Sequence, residues 1–205
     1  MYFKGICFIT DSKYSDLPLY DMINLVLRAG VKCIQYREKD LPRREIYGNA
    51  VKFREVTRLF DATLIINDHV DIALAADADG VHLGQDDLPL KEARKIMGSR
   101  IVGISTHNLD QAKEADLGGA DYIGFGPVFQ TTTKDAGTPK GIDNIRLVKE
   151  HVGIPVVAIG GISLDNVSSV LDAGADAIAL ATAICRGDMA VNAEKFVRFF
   201  KDKLK

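Results

Sequence analysis

Three hydroxyls and one ammonium stand together in Thr131-Thr132-Thr133-Lys134. They follow closely on a Gly126-Pro127 turn at the end of an apolar, β-rich run, Ala120 to Phe125. Hydroxyls, free backbone N–H groups and a cation at a strand end suit an anionic ligand, most simply a phosphate. A second such set is Gln35-Tyr36-Arg37-Glu38-Lys39. Strand alternation puts Gln35, Arg37 and Lys39 on one face. An inward-pointing Arg and Lys are costly without an anion to pair with. A solvated charge run in a loop is the other reading of the same residues.

Carboxylates follow two further apolar runs, in Asn67-Asp68 and in Gly84-Gln85-Asp86-Asp87. Together they offer a hard-cation site, since magnesium takes one or two carboxylates plus phosphate oxygens and waters. Read separately, each is a helix cap, for helices starting near Val70 and before Lys91. Ser105 and His107 end another run, where a hydroxyl and an imidazole can position a substrate or move a proton. Ser105 or Thr106 as a cap beside an exposed His107 is the alternative. His82 reads as a wall residue of a strand, and His69 and His151 as surface residues. Gly160-Gly161 and Ala181-Thr182 close two more runs. A Gly-Gly turn beside a short helix start is a place where phosphate is held by backbone N–H groups.

The elements that must position these residues repeat along the chain. Leu27-Arg-Ala-Gly-Val-Lys-Cys-Ile, Ala76-Asp-Ala-Asp-Gly-Val-His-Leu, Leu117-Gly-Gly-Ala-Asp-Tyr-Ile-Gly and Leu171-Asp-Ala-Gly-Ala-Asp-Ala-Ile each end a helical segment and open a strand. With the runs Ile6 to Thr10, Thr63 to Ile66, Ile101 to Ser105 and Pro155 to Ile159, eight strands are predicted, near residues 6, 33, 63, 80, 101, 122, 156 and 177. Helical period lies between most of them, as in Met22, Ile23, Val26 and Leu27, or Ile145, Val148 and Val152. Alternating strand and helix predict a parallel sheet, and eight units predict a compact (β/α)8 TIM barrel spanning 1–205 as one domain. A doubly wound open sheet is the alternative. A Lys-rich last helix from Lys195 turns Phe196, Phe199 and Phe200 inward.

Composition narrows the partners. With 47% hydrophobic and 26% charged residues and a net charge of −2, nothing calls for nucleic acid or an anionic membrane. No stretch approaches the ~20 apolar residues of a spanning helix, and the start lacks the layout of a signal peptide. Cys7, Cys33 and Cys185 lack zinc-type spacing and read as buried free thiols in a reducing, cytoplasmic setting. The inventory is therefore two anion regions with a magnesium site between them, and neither a Cys-His pair nor a Ser-His-Asp set. Transfer with pyrophosphate as leaving group fits that inventory.

Over nearly its whole length the chain resembles the thiamine phosphate synthase (thiamine-phosphate pyrophosphorylase) family. Gln35-x-Arg37-x-Lys39 is similar to that family's pyrimidine pyrophosphate segment. Asn67-Asp68 and Gly84-Gln-Asp-Asp87 are similar to its magnesium-binding pair, which implies Asp68 and Asp87 as ligands. Ser105 matches the serine on the pyrophosphate substrate. Thr131 and Thr133 match threonines on a thiazole phosphate, and Lys134 a lysine on pyrophosphate. Gly161, Ala181 and Thr182 match a backbone phosphate cradle, with Thr182 standing where serine is frequent.

The resemblance implies catalytic roles for Arg37, Lys39, Ser105 and Lys134, and substrate contacts by Gln35 and Asn67 as well. The implied reaction joins 4-amino-5-hydroxymethyl-2-methylpyrimidine pyrophosphate to a thiazole phosphate, with or without its carboxylate. Its products are thiamine phosphate and pyrophosphate, by a dissociative path. The implied partners are small molecules, and a homo-oligomer stays open. Two alternatives remain: a thiazole tautomerase-like branch that loses the acids and uses a histidine near the fifth strand end, and a non-catalytic phosphate-ligand binder.

Overall fold

The structure, a computed structural model, describes residues 4–131 and 137–203. Eight parallel strands close into a barrel in chain order: β1 (Gly5–Ile9), β2 (Cys33–Tyr36), β3 (Thr63–Asn67), β4 (Gly80–Leu83), β5 (Ile101–Thr106), β6 (Tyr122–Phe125), β7 (Val156–Ile159) and β8 (Ala177–Leu180). β8 pairs back with β1, Cys7 opposite Ala179. Around them lie α1 (Leu19–Ala29), α2 (Arg43–Leu59), α3 (Val70–Ala75), α4 (Leu90–Met97), α5 (Leu109–Leu117), α6 (Ile142–Lys149), α7 (Val167–Asp172), the short α8 (Thr182–Cys185) and α9 (Met189–Lys203). The (β/α)8 expectation holds, and each strand lies where an apolar run predicts it.

Strands buried on both faces explain those runs. Ile6 and Phe8 of β1 pack under the helices in the main core, while Cys7 and Ile9 face the barrel interior with Tyr122, Val157, Ala177 and Ala179. Met22, Ile23, Val26 and Leu27 are fully buried on α1, and Ile145 and Val148 on α6. On α9, Phe196 and Phe200 are buried and Phe199 is partly so. Cys7 and Cys33, far apart in sequence, sit opposite each other on β1 and β2, with sulfurs 3.3 Å apart. Both are free thiols, and Cys33 is only partly buried. No helix among the described residues is long and apolar enough to cross a membrane.

The repeat seen in the sequence is one recurring device. Gly30, Asp61, Asp77, Gly119 and Gly174 all take a left-handed backbone as a helix ends. A small apolar residue follows each of them. Before β4, β6 and β8 the next residue is then an aspartate. Its carboxylate accepts a backbone N–H at the foot of the preceding strand: Asp79 from Leu64 (2.7 Å), Asp121 from Val102 (2.7 Å) and Asp176 from Val156 (2.8 Å). A cation from an even-numbered helix completes each clamp: Arg54 on Asp79 (2.5 Å), Arg94 on Asp121 (2.5 Å) and Lys149 on Asp176 (2.7 Å). These clamps lie at the N-terminal ends of the strands and leave the C-terminal ends for chemistry.

Candidate active site

The C-terminal strand ends surround a cavity of about 250 Å³. Arg37, Ser105, Thr131, Gly161, Ala181 and Thr182, six of the residues expected from the sequence, line it together. Arg37 is aimed by Thr10, fully buried at the end of β1, whose hydroxyl accepts the Arg37 N–H (2.9 Å) and donates to its carbonyl (3.1 Å). The guanidinium lies 3.7 Å from Asp11, a cavity-lining carboxylate that sequence reasoning missed. Asp11 also accepts the Lys13 N–H (3.1 Å) and so resembles an ordinary cap in the sequence.

Gly161 takes a left-handed backbone with φ 65°, and a Cβ there would lie 2.5 Å from the Gln130 carbonyl oxygen. The glycine lets the turn after β7 approach the segment before Thr131. A side chain at Gly161 would thus meet Gln130 and Phe129 first. Ala181 and Thr182 sit at the start of α8, after the neighbouring strand β8, and also line the cavity. His107, exposed, also lines the cavity and bonds through Nδ1 to the Gly126 carbonyl (2.8 Å).

Beside the cavity stands a cluster of charge. Lys39 Nζ pairs with Asp68. Glu38 folds back to accept the N–H groups of Lys39 (2.8 Å) and Asp40 (2.9 Å), which fixes the turn that presents Lys39. Asp68 has a left-handed φ of 65°, strain that a side chain tolerates only where its surroundings demand it. Its N–H donates to the His82 carbonyl (2.8 Å), so β3 and β4 together set its position. Asn67, nearly buried, pairs in register with His82.

Asp87 accepts the Gly84 N–H (2.6 Å) and reaches the Asp68 carboxyl. Burial, and then Asp68, push its pKa above the ordinary range. The cap readings of the sequence fail here. α3 begins after His69 and α4 after Pro89, neither with a side-chain cap, and Asn108 caps α5 in place of Ser105 or Thr106. His69 is half-buried, not a free surface residue.

Two carboxyls held this close repel unless a proton or a cation lies between them. The pair therefore fits a divalent ion. Among the described residues no group of three or more His, Cys, Asp or Glu side chains converges on one point. An ion here would draw its other ligands from phosphate oxygens and water, as magnesium does.

Inside the barrel, below the cavity, lies a polar chain that the sequence did not reveal. Gln35, buried at the end of β2, bonds to the Tyr122 hydroxyl. Tyr122 Oη lies 2.9 Å from His82 Nδ1, and His82 Nε2 lies 2.8 Å from Ser105 Oγ. Burial lowers the His82 pKa to about 4 and raises that of Tyr122, so both rings are uncharged at neutral pH. Gln85 donates to the Ser105 carbonyl (2.6 Å) and fixes that strand end. Thr133 and Lys134 lie outside the described residues.

A family model described as thiamine monophosphate synthase matches residues 6–184. The thiamine-phosphate synthase of Halalkalibacterium halodurans is 50% identical over 173 residues, 83% of this chain and 82% of that protein. That of Chloroflexus aurantiacus is 46% identical over 178 residues, 86% and 82% of the two chains. A solved thiamine phosphate pyrophosphorylase from Pyrococcus furiosus superposes with a TM-score of 0.92 at 39% identity, covering 98% of this chain and 97% of that one.

Proposed function

The chain belongs to the thiamine monophosphate synthase family, and we propose on that premise that its barrel mouth joins the pyrimidine pyrophosphate to a thiazole phosphate, giving thiamine phosphate and pyrophosphate. One observation carries the reading to this chain's own residues. A cation-and-carboxylate cluster, Lys39, Asp68 and Asp87, borders a cavity whose far wall is hydroxyls and backbone N–H groups. That is one place for a pyrophosphate and another for a monophosphate. The names of the relatives favour synthase over a tautomerase-like or purely binding role.

Arg37, Lys39 and Ser105 hold the pyrophosphate of the pyrimidine substrate, with Gln35 and Asn67 beneath its ring. Thr131, Gly161, Ala181 and Thr182 hold the thiazole phosphate, as the family resemblance also suggests for Thr133 and, on the pyrophosphate, Lys134. The bond between the pyrimidine methylene and the pyrophosphate oxygen breaks with both electrons leaving on oxygen. The thiazole nitrogen lone pair then forms the new C–N bond. Arg37, Lys39 and Ser105 stabilise the charge that gathers on the departing oxygens, and this preorganised stabilisation is the main catalytic resource of such a site. Bound between Asp68 and Asp87, magnesium would supply further charge neutralisation for the pyrophosphate. No covalent nucleophile is needed.

A cytoplasmic setting, with small molecules and neither nucleic acid nor membrane as partners, accompanies this reading. The near-neutral net charge of −2 supports it. Incubation with both substrates and magnesium, with and without excess chelator, tests the proposal. Thiamine phosphate should form and chelation should stop it; turnover undiminished in chelator would remove the metal from the account.

A further inference from the structure

We propose that Gln35, Tyr122 and His82 form a one-way hydrogen-bond chain that fixes the Ser105 hydroxyl as a donor into the cavity, making His82 and Tyr122 positioning residues for the reaction. The four groups come from β2, β6, β4 and β5, so only barrel closure unites them. The barrel makes room for both rings with two glycines. A Cβ on Gly103 would lie 2.2 Å from the Tyr122 ring, and one on Gly124 would lie 3.1 Å from His82 Cε1.

Direction follows from the ends of the chain. The Gln35 side chain favours the ionised form of the Tyr122 phenol, as a donor to its oxygen does. An amide N–H can only donate. The phenol keeps its proton because burial, with Cys7 and Cys33 nearby, pushes its pKa well up. With its oxygen accepting from Gln35, that proton is left for His82 Nδ1 at 2.9 Å. The His82 ring meets a hydroxyl at each nitrogen, the Tyr122 phenol at Nδ1 and Ser105 at Nε2. An imidazole accepting at Nδ1 carries its hydrogen on Nε2, which donates to Ser105 Oγ at 2.8 Å. The Ser105 hydrogen is then released toward the cavity that Ser105 lines. The reverse polarity would consume that hydrogen on His82 and turn Ser105 into an acceptor, the wrong character beside a departing anion. The link to pyrophosphate rests on the function proposed above; the polarity of the chain does not.

Nitrogen-15 chemical shifts of His82 in the full-length protein read the tautomer directly. The expected result at pH 8 is a neutral ring protonated on Nε2 and unprotonated on Nδ1. A ring protonated on Nδ1, or an imidazolium at pH 7, overturns the proposal. In turnover, Tyr122→Phe and His82→Leu should each lower kcat about tenfold, roughly one misdirected hydrogen bond, with little change in KM. His82→Gln, which retains an amide N–H, should recover part of the loss. On a Ser105→Ala background Tyr122→Phe should cost almost nothing more; an equal loss on both backgrounds would mean that the tyrosine supports the barrel and not the serine. Absence of any thiamine phosphate from the unaltered protein would refute the functional reading, while the nitrogen shifts would still decide the chain.

Discussion

Asp68 and Asp87 stand within hydrogen-bonding reach of each other although they come from loops after two different strands, and Asp87 titrates above the ordinary carboxylate range as a result of burial and of this neighbour. Lys39 offsets only part of the repulsion. The pair thus retains part of its mutual repulsion where no further cation lies beside it.

Removing one carboxylate should relieve the fold while disabling the site. A carboxyl whose folded-state pKa is raised stabilises the fold while protonated and loses that contribution as pH rises through the raised value. Without divalent ions, Asp87→Asn should therefore match or exceed the parent in stability at pH 7. The parent should gain on the variant as pH falls toward the ordinary carboxylate value of about 4. Magnesium should raise the melting temperature of the parent and not of Asp87→Asn. Thermal melts over pH, with and without the ion, read both effects; an equal magnesium response in the two proteins would contradict the assignment.

Lys39 already occupies an oxygen of Asp68, so it competes with any cation placed there. Lys39→Met should tighten magnesium binding by the free protein and at the same time lower kcat by one to two orders of magnitude, the loss of a charged contact to the leaving group. Calorimetric titration of the ion and steady-state kinetics should move in opposite directions. Weaker ion binding in Lys39→Met would mean that the lysine supports the carboxylates and does not compete with them.

How far this site could be read from the sequence depended on distance along the chain. All eight strands were legible as short apolar runs, and five of them open on a helix end of one repeated form. Arg37, Ser105, Thr131 and Gly161 were legible because each stands at the C-terminal end of its own strand or within a few residues beyond it. Asp68 and Asp87 were found by position, yet a helix cap explained each better when taken alone, and only their joint placement pointed to an ion. His82 reads as wall packing, and Tyr122 lies 40 residues beyond it. Only the closed barrel turns both rings inward between Gln35 and Ser105. No local pattern encodes such a contact, because alternation shows which face a residue takes but not what meets it across the barrel. Asp11 was hidden in a similar way, since its own turn explains it.

At the opposite end of the barrel, Asp79→Ala should test the clamp. The change strands the Leu64 N–H and leaves Arg54, a nearly buried cation, without its partner. A loss of about 3 kcal/mol is expected, or roughly 6–12 °C in melting temperature for a chain of this size. Activity measured well below the transition should be unchanged. A melting temperature within a degree or two of the parent would show that water replaces the clamp at little cost.

Gly161→Ala places a Cβ against the Gln130 carbonyl in a left-handed backbone. It should displace the segment before Thr131 and weaken thiazole phosphate binding about tenfold or more, leaving pyrimidine pyrophosphate binding within about twofold. Thr182→Ser should be nearly silent if its contact is through the main chain. Separate calorimetric titrations of the two substrates decide this. Equal losses for both in Gly161→Ala would mean that the cavity is not divided as described.

The most direct test of the central claim is to quantify both products in one reaction of the unaltered protein supplied with the pyrimidine pyrophosphate, a thiazole phosphate and magnesium. Thiamine phosphate and pyrophosphate should appear in equal amounts, and thiamine phosphate formation should collapse in Asp87→Ala while the fold persists. Conversion of the thiazole phosphate alone to an isomer, or binding of both ligands with neither product formed, would contradict the account.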